Sequence, residues 1–273
     1  MINYTAILIF TKHQRAIPVY KMSHKEALFD YLIRLGDTSL IAGQRLSEWC
    51  GHGPILEEDI AMTNISLDLI GQARQFLTYA GEVEGKGRDE DALAYHRDVW
   101  EFKNVKLVEQ PNGDFAQTIL KHFFLSTFNC LLYGALSKSI DETLAAIATK
   151  SLKEVLYHKR HSTEWVKRLG DGTEESNKRI NFALNELWTF TGELFEMTEV
   201  DEILVKEGIA SDLNELYLRW LNEVNEVFEE ATLDAPSDVF MATGSRKGLH
   251  TEHLGYILAE MQFLPRAYPD AKW

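Results

Sequence analysis

The stretch "SHKEALFDYLIRLGDTSLIAGQRLSEW", residues 23–49, predicts the first helix of a helical protein. Ser23 followed by Glu26 three residues later is the pattern of a capping box at a helix start. Apolar or small residues then recur at steps of four and three, which places them on one helix face: Leu28, Leu32, Leu35, Ser39, Ala42, Leu46 and Trp49. The segment "GHGP" at 51–54 ends this helix.

Three further long helices have the same kind of signal. The second opens with three acidic residues at 57–59 and carries Met62, Ile65, Leu69, Gln72 and Phe76 on one face. The third begins after Asp114, and the fourth runs from Asp141 to a stop at Gly170. A shorter helical segment near 89–103 lies between the two pairs, as in a ferritin-like bundle with a crossover.

Additional helices are predicted at about 174–196, 199–207, 212–232 and 249–264. We therefore predict an all-α fold, a ferritin-like four-helix bundle with additional C-terminal helices, over residues 22–273. Residues 1–21 contain no acidic side chain and differ in composition from the remainder. We interpret them as an N-terminal appendage, either not native or poorly ordered.

Composition restricts the partners and the compartment. The net charge of −14 argues against nucleic acid and anionic membranes as partners. We also expect no membrane span, since no uninterrupted apolar run approaches about 20 residues. The two cysteines, Cys50 and Cys130, form no disulfide framework, which favours the cytoplasm.

The fourth helix raises the question of a metal site. Glu154, His158 and His161 are three or four residues apart and so share one helix face. Di-iron bundles use a Glu-x-x-His pair on each of two helices and one carboxylate on each of the other two. On spacing alone, a half-buried polar stripe with His158 hydrogen-bonded to Glu154 is the favoured interpretation.

The other helices do not complete such a site. The second helix offers Leu69 and Gln72 where a glutamate and a histidine belong, with Asp68 about 100° around the helix. The third offers Ser126, and the first carries Glu48 beside its apolar face. We expect Glu48, Asp68, Glu154 and His158 to be held instead by a hydrogen-bond or ion-pair network, with Gln72 and His158 as donors and Arg45 or Arg74 as the counter-charge.

Longer phrases carry a family resemblance. The segments "GQRLSEWCGHGPILEEDIAMTNISLDLIGQARQFLTYAGE", "VEQPNGDFAQTI", "KEVLYHKRHSTEWVKRLGDGTEES" and "GLHTEHLGYILAEMQFLPRAYPDAKW" are similar to the C subunits of phenylacetic acid degradation. These are components of the multicomponent ring-1,2-phenylacetyl-CoA epoxidase. The resemblance covers about residues 27–273.

The resemblance implies a non-catalytic structural subunit whose paralogous A subunit holds the di-iron centre. Matched to the A subunit's ligand pattern, Glu48 and His158 are retained. The other ligand positions are taken by Leu69, Gln72, Ser126 and Val155. The resemblance therefore implies no catalytic residue, metal or cofactor in this chain. Its partners would be the A subunit and the other subunits of the complex, with a homodimer of the isolated chain left open.

Two alternatives are kept. The chain could be a degenerate iron-dependent oxidase that uses Glu48, Glu154, His158 and His161. Separately, Arg246 and Lys247 precede a helix start and could hold a CoA phosphate, or their loop could cap a helix or meet a partner. His250, Glu252 and His253 follow in the same segment. The aromatic residues Trp188, Phe190, Phe195, Tyr217, Trp220 and Phe228 could serve either the core or a subunit interface.

Overall fold

The computed structural model describes residues 22–269 and residue 271. Within that part, the chain consists of helices, turns and loops and contains no β-strand, so the all-α prediction is confirmed. The helices are α1 (His24–Ser47), α2 (Leu56–Glu84), α3 (Glu90–Tyr95), α4 (Lys106–Glu109), α5 (Phe115–Leu136), α6 (Glu142–Gly170), α7 (Glu174–Leu187), α8 (Glu199–Lys206), α9 (Leu213–Glu230) and α10 (Glu252–Ala267). The appendage predicted for residues 1–21 lies outside the described residues.

The helix ends follow local chemistry. At the start of α1 the predicted capping box is present, with the Ser23 backbone N–H donating to Glu26 at 2.9 Å. Asp114 and Asp141 cap α5 and α6 by accepting from the backbone N–H groups of Gln117 and Leu144. Each cap satisfies an N–H group that has no partner within the helix.

The four long helices form two hairpins. The first pairs α1 with α2, the second pairs α5 with α6, and α2 also contacts α6 across the bundle. The connection between the hairpins, residues 85–114, contains α3, a 3₁₀ turn at Val99–Glu101 and α4. This is a ferritin-like four-helix bundle, as predicted.

Helix α5 is the central helix of this bundle. It is long and apolar enough to cross a membrane by length and composition, contrary to our expectation that no segment would be. The expectation was based on uninterrupted apolar runs, whereas polar residues are dispersed along α5. In the fold, 83% of its most apolar window is buried among the other helices, as in the core helix of a globular protein.

The remaining helices pack outside the two hairpins. Helices α7 and α9 contact α5 and α6, α8 contacts α1, and α10 contacts the crossover segment. Most of the aromatic residues that could serve core or interface, including Trp188, Phe195, Trp220 and Phe228, are buried in the core, whereas Tyr217 is 41% exposed.

Two predicted helix ranges were wrong in detail. The helix predicted over 174–196 ends at Leu187 and continues as 3₁₀ turns at Trp188–Phe190 and Gly192–Phe195. The buried carboxylate of Glu193 accepts from the backbone N–H groups of Lys106 and Ser245, contacts that no local pattern encodes. The segment predicted over 89–103 is also broken, because residues 96–98 separate α3 from a 3₁₀ turn.

A buried ion pair attaches the crossover to α1. The guanidinium of Arg97 forms hydrogen bonds with both carboxylate oxygens of Asp37, and both side chains are almost fully buried. The Lys103 backbone N–H donates to the same carboxylate at 2.9 Å. The Arg97 guanidinium carbon also lies 4.3 Å from the ring centroid of Phe102. Arg97 and Asp37 therefore have partners on every side, as buried charges require.

Candidate functional site: a polar bundle centre

Gln72 and Glu154 join α2 to α6 inside the bundle. Gln72 is fully buried, and its Nε2 donates to Oε2 of Glu154 at 2.9 Å. The Tyr133 hydroxyl on α5 donates to Oε1 of Gln72 at 3.4 Å. Burial raises the pKa of Tyr133, so its hydroxyl remains a donor. The nitrogen and the oxygen of the Gln72 amide are therefore both hydrogen-bonded to residues on other helices. The expected role of Gln72 as a donor is confirmed.

Two histidine–carboxylate pairs lie along the same two helices. Nε2 of His158 is 3.0 Å from Oδ2 of Asp68, and Nε2 of His161 is 2.7 Å from Oε2 of Glu58. The predicted donor role of His158 is confirmed. Its acceptor is Asp68 on α2, rather than Glu154 on its own helix.

Leu69, Ser126 and Val155 are the other positions that the family resemblance matched to ligands of the A subunit. Leu69 and Val155 are buried in the apolar core. The hydroxyl of Ser126 lies 3.1 Å from that of Ser162, and the Ser162 hydroxyl also donates to the His158 carbonyl oxygen at 2.9 Å. These groups bind protein atoms and add no charge.

Glu48 belongs to a separate network at one end of the bundle. Its carboxylate accepts from Arg45 at 2.7 Å and from the Asn112 amide at 3.0 Å. Arg45 is therefore a counter-charge, as predicted, but for Glu48 alone. Arg74 is not a counter-charge for this site, because its exposed side chain pairs with Glu90 on the surface. The expectation of one network uniting Glu48 with Asp68, Glu154 and His158 was therefore wrong.

A buried lysine adjoins that network and was not identified from the sequence. The ammonium group of Lys121 donates to the Gln110 carbonyl oxygen at 2.7 Å and to the Asn112 side-chain oxygen at 3.2 Å. Burial is the main cause that lowers the pKa of Lys121 to about 7; the Arg45 guanidinium acts in the same direction, and Glu48 opposes the shift. Lysine on a helix usually extends to solvent, so the pattern around position 121 gave no signal.

The next residue, His122, is also buried. Burial holds the pKa of His122 well below its ordinary value, and the charges of Lys121, His158 and His161 act in the same direction. The imidazole is thus kept neutral in the fold. His122 was likewise not identified from the sequence.

The donor set does not fit a di-iron centre. Such a centre requires carboxylates and imidazoles from four helices around one point. Here the carboxylates of Asp68 and Glu154 are bonded to His158 and Gln72, and hydrocarbon side chains stand at Leu69 and Val155. Among residues 22–269, no group of three or more histidine, cysteine or acidic side chains is arranged to hold a metal ion.

A second buried network surrounds Glu109. Its carboxylate accepts from the Asn104 amide at 3.0 Å, from His250 Nδ1 at 2.5 Å, and from the Thr251 backbone N–H at 2.8 Å. Nε2 of the same imidazole lies 2.9 Å from the Phe102 carbonyl oxygen. The partners of Glu109 at the start of α10 are more than 140 residues away in sequence, so no local pattern could identify them.

Arg246 and Lys247 do not converge on one ligand position. Arg246 lines a small internal cavity of about 30 Å³ together with Tyr31, Arg34 and Asp201, whereas Lys247 is exposed. Within the described residues, Nε of Arg246 has no hydrogen-bond partner. Burial lowers the pKa of Arg246, and the nearby Arg34 adds to the effect.

The fold and the bundle centre define a class of protein: a ferritin-like four-helix bundle whose centre is held by hydrogen bonds and apolar side chains. The chain belongs to the family described as phenylacetic acid catabolic protein, whose model matches residues 15–273. It is similar to the C subunit of 1,2-phenylacetyl-CoA epoxidase from Escherichia coli (strain K12). The two are 51% identical over 243 residues, 89% of this chain and 98% of that relative. The family resemblance inferred from the sequence is thereby confirmed.

Proposed function

We propose that this chain is a non-catalytic structural subunit of a phenylacetyl-CoA 1,2-epoxidase in aerobic phenylacetate catabolism. It pairs with, and stabilises, a paralogous catalytic A subunit that holds the di-iron centre. The chain itself has no resident cofactor, and the complex operates in the cytoplasm. The likeness to an epoxidase C subunit supports the assignment to such a complex.

The observation that carries the proposal is the Gln72–Glu154 hydrogen bond in the bundle centre. It occupies one carboxylate with a neutral amide at a place where a metal would require a charged or imidazole ligand. The buried Leu69 and Val155 remove two further ligand positions. A bundle with this centre retains the packing of the fold but lacks the ligands for oxygen chemistry.

A second observation supports pairing with another subunit. Helix α2 has a solvent-facing apolar surface, opposite the face that carries Leu69 and Gln72. Its members are separated by steps of four, seven and three residues and therefore lie on one side of the helix. They are exposed to the following extents: Leu56 72%, Ile60 52%, Leu67 62% and Ile70 38%. We call these four residues the α2 surface; exposed apolar residues grouped on one side of a helix are a feature of protein interfaces.

The test is co-expression of this chain with the catalytic A subunit of the same epoxidase. The complex and the chain alone are each purified, sized by light scattering and analysed for iron. We expect a hetero-oligomer in which iron is present only when the catalytic subunit is present. We also expect that the chain alone contains no stoichiometric iron and can form a homodimer through its unpaired apolar surface.

Two results would contradict the proposal. Separate elution of the two chains would exclude the pairing. Iron near one or two equivalents in the chain alone, with oxo-bridge absorption, would instead favour the alternative of a degenerate iron-dependent oxidase.

A further inference from the structure

Helix α10 presents one face to solvent. The residues of this face follow one another at steps of three and four, with one adjacent pair, and so lie on one side of the helix. We call them the α10 face: Glu252, Gly255, Tyr256, Ala259, Phe263 and Arg266. Tyr256 is 70% exposed and Phe263 is 65% exposed. The other side of the helix carries the buried residues Leu254, Ile257 and Leu258, which attach α10 to the core.

An open groove lies beside the α10 face. It has a volume of about 460 Å³, and its lining includes Val99, Gly255, Ala259 and Phe263. A Cβ atom added to Gly255 would meet nothing within 4 Å, so there is room above this glycine for a side chain from another molecule. Trp100, the neighbour of Val99 in the chain, is 68% exposed. The groove can therefore receive an apolar ring.

The exposed rings supply a large part of the area that an interface needs. An aromatic side chain has about 150–250 Å² to bury, so Trp100, Tyr256 and Phe263 together expose roughly 300–500 Å². A standard protein interface buries about 800 Å² on each partner. A ring seated in the groove adds the walls of the groove to this area. The surface is therefore of the size used for association between proteins.

The order of the residues along the α10 face makes the face complementary to itself. When a second copy of α10 runs antiparallel and crosses the first at Ala259, Gly255 lies opposite Phe263 of the second copy. In the same arrangement Glu252 lies opposite Arg266 of the second copy. A ring thus meets a glycine, and a carboxylate meets a guanidinium. A parallel pair would instead place Phe263 against Phe263 and Glu252 against Glu252, which brings like charges together.

Arg266 is already oriented at one end of the face. Its Nε donates to the Tyr95 carbonyl oxygen at 3.1 Å, and its terminal nitrogens lie 3.2 Å from Oδ1 of Asp98. The side chain is nevertheless 41% exposed. An arginine held in this way loses little further conformational freedom when a carboxylate from another molecule approaches.

We propose that two copies of this chain associate through their α10 faces, antiparallel about a twofold axis at Ala259. Phe263 of each copy enters the groove of the other copy above Gly255. Such a contact is isologous, since both copies use the same patch. The occupant is a second copy because the face is complementary to itself in both charge and side-chain size. The inference goes beyond the proposed subunit role and does not require the catalytic subunit.

The first test is sedimentation equilibrium of the full chain carrying Leu67→Glu, which blocks the α2 surface as a separate route to association. We expect a dimer. Adding Phe263→Glu should weaken the dimer at least tenfold, because a carboxylate then replaces the ring in an apolar groove. Phe182→Glu on α7 is the matched control, since Phe182 is 63% exposed against 65% for Phe263, and it should leave the dimer unchanged. Circular dichroism verifies that each variant is folded.

Two results of this test would overturn the proposal. One is a Leu67→Glu chain that remains a monomer up to about 100 μM, a concentration at which even a weak specific dimer forms. The other is a dimer that Phe263→Glu and Phe182→Glu affect equally.

Disulfide formation tests the arrangement independently of those variants. In the Leu67→Glu chain with Cys50→Ser, Ala259→Cys places the two new thiols next to the twofold axis, where a disulfide between copies can form. Ala267→Cys lies eight residues further along α10, so in an antiparallel pair its two thiols are separated by about 24 Å along the helix axis. We expect cross-linking at least tenfold faster for Ala259→Cys than for Ala267→Cys. Equal rates would overturn the antiparallel pairing about Ala259.

Discussion

The side-chain amide of Gln72 donates a 2.9 Å hydrogen bond to the carboxylate of Glu154, and this contact connects the two hairpins of the bundle. Gln72 is fully buried, so neither end of its amide can be satisfied by bulk water. Its oxygen is bonded by the Tyr133 hydroxyl on a third helix. The polar centre of the bundle is therefore held by protein groups, and its stability depends on each of them.

Replacing Gln72 by leucine should destabilise the protein by about 1–3 kcal/mol, because Glu154 and Tyr133 lose their partner inside the bundle. Urea unfolding followed by circular dichroism measures the change. The matched control is Gln75→Leu, one helical turn away, where the amide bonds only to the carbonyl oxygen of Gly71 on its own helix. Equal effects of the two substitutions would show that the bond to Glu154 contributes nothing.

The buried pair of Asp37 and Arg97 should be sensitive to loss of one partner. Asp37→Asn keeps the shape but leaves the Arg97 guanidinium without its counter-charge, and we expect a loss of about 3–5 kcal/mol in unfolding free energy. Arg266→Gln is the control, because that arginine pairs with Asp98 at the surface.

The double variant Asp37→Leu with Arg97→Met separates the charge effect from the packing effect. It should recover most of the loss seen in Asp37→Asn, since no uncompensated buried charge remains. A double variant that is no more stable than Asp37→Asn would mean that the pair is required for packing rather than for charge balance.

The pKa of Lys121 predicts a pH dependence of stability. It is about 7 in the fold, against an ordinary lysine value of 10.5. Between these values the unfolded chain binds one proton more than the folded chain, so Lys121 destabilises the fold most below pH 7 and progressively less as the pH rises. Relative to Lys121→Met, the wild type should gain about 1.4 kcal/mol per pH unit between about pH 7.5 and pH 9.

Unfolding free energies of both proteins, measured at half-unit pH intervals, test the Lys121 prediction. The comparison with Lys121→Met cancels other titrating groups, and Lys138→Met provides a control at a lysine beyond the end of the same helix. A constant difference between wild type and Lys121→Met across this pH range would show that Lys121 remains fully charged in the fold.

The two free cysteines should react at different rates. Cys50 is exposed, whereas burial raises the pKa of Cys130 to about 11 and its thiol donates to the Val155 carbonyl oxygen. The thiolate is the reactive form, so iodoacetamide at about pH 8 should modify Cys50 first, with Cys130 at least tenfold slower. Mass spectrometry of peptides from timed samples measures both rates, and in urea the two should converge. Similar rates in the folded protein would contradict the partial burial of Cys130 and its raised pKa.

The α2 surface should govern association. Leu67→Glu places a charge in the middle of this surface and should reduce complex formation with the catalytic subunit at least tenfold, because burial of an unpaired carboxylate is unfavourable. Leu218→Glu on α9 is the matched control, since Leu218 is 63% exposed against 62% for Leu67. Sedimentation or light scattering of each variant mixed with the catalytic subunit measures how much complex it forms. An equal effect of both variants would exclude α2 as the interface.

The parts of the fold that sequence predicts best are those with local causes. The capping residues Ser23, Asp114 and Asp141 each lie next to the N–H groups that they satisfy, and the helices that they begin were predicted correctly. The helix predicted over 174–196 failed where its conformation depends on Glu193 bonding to residues 87 and 52 positions away. Helical periodicity cannot report such contacts.

For the candidate site too, the sequence predicted the features that depend on residue type but not the contacts between helices. The residue types at Leu69, Gln72 and Ser126 already indicated that a di-iron donor set was incomplete, and the family resemblance added Val155. The sequence did not show which carboxylate pairs with which donor. His158 bonds across the bundle to Asp68, whereas Glu48 is held separately by Arg45.

By itself, the sequence determined the helical architecture, the helix starts and the chemical identity of the groups at the bundle centre, because these depend on residue type and on spacing within one helix. Only the tertiary structure decided that Gln72 meets Glu154, that Lys121 is buried, and that Glu109 meets His250. These relationships join residues far apart along the chain, and their geometry is fixed by how the helices pack against one another.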